Sequence, residues 1–307
     1  MLIAAAVCPH PPVLIPAAMG AAGDGPELAD LRAACAAAAR GLVRARPDLI
    51  VIAGVGPAGR TYPWPSAGSL HRYGVPWSTG PGRPVLPLSL TVGTWLLTGA
   101  LAATGFPEPA PMPATSGADG AGGIDEAEGE FETEWEFEAE EEFEGGGELG
   151  PAIGAFESAA GEFEAGALSA SVMLRAVAIT ASPGTCRRLG ARLAGLAPRV
   201  AMLVMGDASA KKATGVPGAP DIEAEEYDAA IAAALGAADT AALAGLDPDR
   251  AAELRVTGRA PWQVLAGAAA GTDGWRGQLR LQAAPYDVSY LVASWAAGPD
   301  AAAALSG

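Results

Sequence analysis

The chain has 307 residues and a mass of 30.5 kDa, which is enough for one large domain or two small ones. Half of its residues are hydrophobic and 18% are charged, so most of the chain is expected to be globular. The formal charge of −16 is concentrated between Asp119 and Glu164, where there are 17 acidic residues and no lysine or arginine; the remainder has 18 acidic and 19 basic residues. A body of balanced charge indicates neither nucleic-acid binding nor attraction to an anionic membrane.

The predicted elements before the acidic segment alternate between strand and helix. The continuous apolar run from Leu2 to Val7 is typical of a buried strand, and apolar residues at steps of three and four predict a helix over Glu27 to Arg46. Leu49 to Ala53 is a second buried strand that runs into the turn Gly54-Val55-Gly56-Pro57, and Leu90 to Ala103 is a helix.

Residues 114–165 form an acidic, low-complexity insertion. From Glu130 to Glu144 acidic residues alternate with other residues, mostly aromatic ones, which is a strand-like period, but like charges at every second residue repel one another. We therefore expect a disordered insertion within a single domain made of residues 1–113 and 166–307. The alternative is an acidic and aromatic segment that docks on a basic protein partner.

After the insertion the alternation resumes. Strands are predicted over Ala176 to Thr180, Val200 to Met205, Gln278 to Ala283 and Val288 to Ser294, and helices over Cys186 to Leu196, Ile222 to Leu235 and Pro261 to Ala270. Strands separated by helices predict an α/β fold, a three-layer sandwich with a largely parallel central sheet. Ligands of such sheets bind beyond the carboxyl ends of the strands, so functional residues are expected in the loops at these ends.

The first two loops supply a histidine, a cysteine and an arginine. Cys8 and His10 follow the first strand, and the prolines around His10 hold it rigidly, which suits a metal ligand, a catalytic group or a simple cap on the strand. The second loop ends in Arg60 and lacks the Gly-Lys-Ser/Thr of a phosphate-binding loop. Arg60 and Cys8 are candidate ligand-binding residues, and His10 is the candidate metal ligand.

The third loop, after the strand ending at Met205, supplies the candidate catalytic residues Asp207, Ser209 and Lys211. A serine and a lysine can together support nucleophilic catalysis. Lys211 and Lys212 are the only lysines of the chain; they either bind a small anionic ligand or form a solvated turn.

Four motifs occur in a fixed order: Pro9-His10-Pro11-Pro12, the Gly-x-Gly-Pro turn, Met205-Gly206-Asp207-Ala208-Ser209 and Val256-Thr257-Gly258-Arg259-Ala260-Pro261. This order resembles the class III extradiol ring-cleavage dioxygenases, namely the LigB-like superfamily that includes the Memo proteins. The resemblance covers most of the chain outside the insertion and implies a LigB-like fold. It also implies a non-haem Fe(II) site of two His and one Glu (Cys in the Memo branch), a further His as acid/base, and open positions for a catechol and O₂.

Carried over position by position, the resemblance gives an incomplete site. His10 matches the first metal His, whereas the second should lie in the turn Gly56-Pro57-Ala58, which has none. The acid/base His falls at about Ala210 and the third ligand at about Thr257, and Asp207 matches an acidic residue near the Memo site.

The chain has only two histidines, His10 and His71, whereas the ring-cleavage site needs three. We therefore expect a degenerate relative that acts as a non-catalytic binding or scaffold protein without a cofactor; homo-oligomerisation stays open. One alternative is a non-haem Fe(II)-dependent extradiol dioxygenase with unusual ligands, His10 plus Asp207 or Cys8. The other is an enzyme of another class that uses the residues of the third loop.

The location expected from the sequence is the cytoplasm. No apolar run reaches the roughly 18 residues that a membrane helix needs. The first residues include no basic region, and the apolar run that they form ends before Pro9, so a signal peptide is not expected. Cys8, Cys35 and Cys186 are far apart and lack a Cys-x-x-Cys spacing, which argues against a disulfide framework or a structural zinc site.

Overall fold

The computed structural model describes residues 1–18, 25–106, 170–210, 222–285 and 288–298, and residues 109, 301 and 305. The predicted insertion, residues 114–165, lies outside the described residues, as do Lys211 and Lys212. The interpretations placed on them therefore stay predictions.

The described residues contain strands β1 Leu2–Cys8, β2 Leu49–Gly56, β3 Arg60–Pro63, β4 Gly68–Ser69, β5 Ser78–Thr79, β6 Ser171–Ala178, β7 Val200–Met205, β8 Arg276–Ala283 and β9 Tyr290–Ala296. The α-helices of the same residues are α1 Pro26–Arg44, α2 Leu88–Thr104, α3 Pro183–Ala194, α4 Ile222–Ala237, α5 Thr240–Ala244, α6 Pro248–Glu253 and α7 Arg259–Ala269. None of these helices is long and apolar enough to cross a bilayer.

Seven strands form one sheet in the order β3-β6-β2-β7-β1-β9-β8, and β4 pairs with β5 in a separate ribbon. The four central strands β6, β2, β7 and β1 are parallel, whereas β3, β9 and β8 are antiparallel to their neighbours. The parallel strands are buried along almost their whole length, which explains their continuous apolar sequences. The predicted α/β class with a mostly parallel central sheet is confirmed.

Helices cover both faces of the sheet because successive strand residues point to opposite sides. In β1, Ala5 and Val7 belong to the core shared with α3, α4 and α7, while Ala4, Ala6 and Cys8 belong to the core shared with α1 and α2.

Several predicted bounds were wrong. The strand predicted at Ala176 begins at Ser171, because Arg175 interrupts the apolar run and yet is buried in the strand. The helix predicted at Cys186 begins at Pro183, where Ser182 accepts a hydrogen bond from the Thr185 N–H. The last strand begins at Tyr290 rather than Val288.

Three strands and two helices were missed altogether. The strands β3, β4 and β5 are two to four residues long and lie in a stretch rich in glycine and proline, so they carry no usable period. The short helices α5 and α6 are preceded by the N-cap residues Asp239 and Asp247, whose carboxylates accept hydrogen bonds from the Ala242 and Arg250 N–H groups. These two aspartates were a recognisable start signal.

Candidate functional site

The carboxyl ends of the strands lie along one edge of the sheet, and their register fixes how far apart the three candidate loops are. One residue from each of β1, β7, β2, β6 and β3 forms a row: Cys8, Met205, Gly54, Ala176 and Arg60. With strands ~4.8 Å apart, the backbone of Arg60 lies roughly 19 Å from that of Cys8. Two strands, β6 and β2, lie between β3 and β7, so the backbone of Arg60 lies roughly 14 Å from the start of the third loop.

Arg60 lies on β3, the strand at one margin of the sheet. Its side chain is exposed, and the guanidinium carbon lies 5.2 Å from the centre of the Tyr62 ring. This cation–π contact lies on the strand that carries both residues.

The structure does bring His10 and Asp207 together, because they follow the neighbouring strands β1 and β7. The His10 backbone N–H donates to Asp207 Oδ1 at 2.8 Å, and His10 Nδ1 lies 3.5 Å from the same oxygen. His10 is 5% exposed, and its Nδ1 is buried without a hydrogen-bond partner in the part of the chain that the structure describes. A buried ring nitrogen of this kind is a group that a ligand or an ordered water would satisfy.

Asp207 is itself held by the turn that precedes α7. Its backbone N–H donates to Thr257 Oγ1 at 3.1 Å, and its carbonyl oxygen accepts from the Gly258 N–H at 2.9 Å. The two backbones approach so closely that a Cβ on Gly206 would overlap Gly258 Cα. Thr257, where the resemblance implies the third metal ligand, thus lies against Asp207, and its hydroxyl oxygen is already in use.

Cys8 lies in the core beneath α1 instead of lining an open crevice. Cys8 and Cys35 are both fully buried, and their thiols are neighbours. Burial, the contact with Cys8 and the charge of Asp207 raise the pKa of the Cys35 thiol well above its usual value. Cys35 was missed as a neighbour of the site because its sequence signal is only that of an apolar position on an amphipathic helix.

Ser209 is turned into the protein towards Asp228 of α4. Its hydroxyl donates to Asp228 Oδ2 at 2.6 Å, and its backbone N–H donates to Asp228 Oδ1 at 3.0 Å. Ser209 is 0% and Asp228 2% exposed. These hydrogen bonds connect the loop after β7 to α4. The Ser209 hydroxyl is buried and engaged by Asp228, so it is not accessible to a substrate.

Asp228 was missed, although one signal was present. It shares the buried face of α4 with Ala224 and Ile231, at steps of four and three. An acidic residue in an apolar stripe needs a buried partner.

The donors that the structure describes do not fit an Fe(II) site of the ring-cleavage type. That site takes two imidazoles and a carboxylate, whereas His71 is exposed in a short helical turn after β4 and Thr257 offers only a hydroxyl. Within the described residues no three His, Cys, Asp or Glu side chains are placed to hold a metal ion.

Comparison with known proteins leaves the family open. No protein-family profile matches the chain, and no curated protein matches it. Among solved structures, the chain is similar to an uncharacterised protein, JW3007, from Escherichia coli K12. The two share 9% identity at a TM-score of 0.43, over 96% of this chain and 100% of that one. A similarity this distant identifies neither a family nor a function.

Proposed function

We propose that this chain is a degenerate LigB-like protein, with the three-layer fold of that superfamily, that acts by binding and not by ring cleavage. The support for this relationship is the order of its motifs along the chain and their position in the fold. The loops of His10 and Asp207 follow adjacent parallel strands, and Thr257 contacts Asp207 directly.

One observation carries the non-catalytic part of the proposal. Among the described residues, the site pairs one imidazole with one carboxylate, and the carboxylate oxygen nearest His10 Nδ1 already accepts the His10 backbone N–H. A carboxylate that holds its neighbour's backbone in place acts as a structural anchor. The Fe(II) site needs three free protein ligands beside open positions.

The proposed ligand of this crevice is a small anion bound through Lys211 and Lys212, and the acidic insertion is the proposed contact for a basic protein partner in the cytoplasm. The test of the first is a thermal-shift screen of anionic metabolites on the wild type and on a Lys211→Ala/Lys212→Ala variant. Stabilisation of the wild type alone supports the proposal, whereas equal stabilisation of both proteins removes the lysines from it.

A second candidate, an Fe(II)-dependent extradiol dioxygenase with His10 and Asp207 as ligands, is favoured by the buried, unpartnered Nδ1 of His10 among the described residues. Protein purified without air and without an affinity tag distinguishes the two. Iron equimolar with the chain supports the oxygenase, and iron far below one ion per chain supports the binding protein.

A further inference from the structure

Arg175 is a buried cation in the middle of an apolar strand. It is 8% exposed and lies on the same face of β6 as Met173 and Val177. The sheet register places it beside Ala53 of β2 and Thr61 of β3, the strand at the margin of the sheet. Burial lowers the pKa of its guanidinium below the usual value.

Within the part of the chain that the structure describes, the segments around Arg175 provide no counter-charge. Residues 49–107 and 165–206 contain no aspartate or glutamate, and these stretches supply β2, β3, β6, α2 and α3. The hydrogen bond of Arg175 within the described residues runs from Nη1 to Thr61 Oγ1 at 2.9 Å. A buried charge with a single neutral partner lacks the compensation that folded proteins normally give it.

One edge of the guanidinium has no hydrogen-bond partner among the described residues. Nη1 contacts Thr61, whereas Nε is buried without a partner among the described residues. The edge formed by Nε and Nη2 therefore presents two parallel N–H groups, the geometry that binds a carboxylate or a phosphate in a bidentate manner.

Gly59 leaves one side of Nη2 uncovered. A Cβ added at Gly59 would lie 3.5 Å from Nη2 and would meet no other described atom within 4 Å outside the neighbouring residues, so a larger side chain would cover the guanidinium. The Thr61 hydroxyl accepts a hydrogen bond from Nη1 and keeps its own proton to donate to an anion.

We propose that Arg175, with Thr61 and the gap at Gly59, binds the phosphate or carboxylate group of a small molecule at the β3 margin of the sheet. This site does not depend on the proposed crevice, because β6 is three strands, or roughly 14 Å, away from β1. The anion would supply the counter-charge that the described residues around Arg175 do not provide.

The test is the thermal unfolding of the full chain in increasing inorganic phosphate, and separately in succinate, against chloride of equal ionic strength. In Arg175→Gln the half-saturating phosphate concentration is expected to rise about tenfold or more, as for the loss of one charge-assisted bidentate contact. Arg83→Gln, which removes an exposed arginine from the same acid-free stretch, is the matched control and is expected to match the wild type.

A second variant protects the test against a folding defect in Arg175→Gln. Gly59→Val keeps the guanidinium but fills the space beside Nη2, and the same rise is expected. Lys211→Ala/Lys212→Ala removes the cations proposed for the crevice, so phosphate stabilisation that persists in this variant and is lost in Arg175→Gln comes from the Arg175 site and not from the crevice. The proposal is overturned if neither phosphate nor succinate stabilises the wild type beyond chloride, or if they stabilise wild type, Arg175→Gln and Gly59→Val equally.

Discussion

The pair of Ser209 and Asp228 gives a quantitative test of whether Ser209 is an anchor or a nucleophile. Asp228→Ala removes the acceptor of two buried hydrogen bonds, at 2.6 Å from the Ser209 hydroxyl and 3.0 Å from its backbone N–H. A hydrogen bond to a charged group contributes about 1.5–3 kcal/mol, and here both donors are left buried and unpaired. We expect Asp228→Ala to lower the free energy of unfolding by about 3–5 kcal/mol.

Ser209→Ala removes only the hydroxyl contact and leaves the backbone one, so its expected cost is about 1.5–3 kcal/mol. Because both variants break the same contact, the double variant should cost less than the sum of the two. Ser66→Ala is the matched control, since its hydroxyl donates to the Pro63 carbonyl at an exposed position and should contribute about 0.5 kcal/mol or less.

The measurement is urea-induced unfolding at neutral pH for the four variants and the wild type. If Ser209→Ala and Asp228→Ala each changed stability by no more than Ser66→Ala, the buried pair would not exist in solution. The hydroxyl of Ser209 would then be free for chemistry, and the anchoring role would be refuted.

Three further predictions concern packing, pH and the insertion. Gly190→Ala should lower the free energy of unfolding by about 3 kcal/mol, because the added Cβ would overlap the Val264 carbonyl oxygen. Gly99→Ala, where the added Cβ would meet nothing within 4 Å, should raise the free energy of unfolding by about 0.5–1 kcal/mol. Equal urea midpoints for the two variants would contradict the packing of α3 on α7. Burial raises the pKa of Tyr227 from 10.0 to about 12, so the native state should lose stability as the pH rises through this window, where the unfolded chain ionises the phenol first. Melting temperatures of Tyr227→Phe should fall less than those of the wild type over the same pH range. Replacing residues 114–165 by a short Gly/Ser linker should change stability by about 1 kcal/mol or less, and a loss of several would show that the segment packs on the domain.

The sequence predicts the sheet where the hydrophobic pattern is simple. Buried parallel strands such as Leu49–Gly56 are continuous apolar runs, so their existence is predictable. The start of β6 was not predictable, because Arg175 is a charged residue within the apolar run and its burial is evident only from the structure. The antiparallel directions of β8 and β9 were not predicted, since a period-two or apolar pattern does not encode the orientation of a neighbouring strand.

The candidate site was likewise predictable only in part. His10 and Asp207 were placed near each other because parallel strands end at a common edge, and the structure has them in contact. The position of Arg60 on the strand at the margin of the sheet was not predictable, because the sequence of a strand does not specify its place in the strand order. The contacts of Cys35 with Cys8 and of Asp228 with Ser209 join distant segments, so only tertiary structure reveals them.

Anaerobic titration of Fe(II) into the metal-free protein, followed by calorimetry, tests the central claim that the His10 and Asp207 crevice is not an iron site. The variants are His10→Ala and, as the matched control, His71→Ala, which removes the exposed second histidine. We expect weak binding that neither substitution changes by much, because one imidazole and an already engaged carboxylate fall short of three free ligands. Tight binding of one iron per chain that is lost in His10→Ala and kept in His71→Ala would contradict the account.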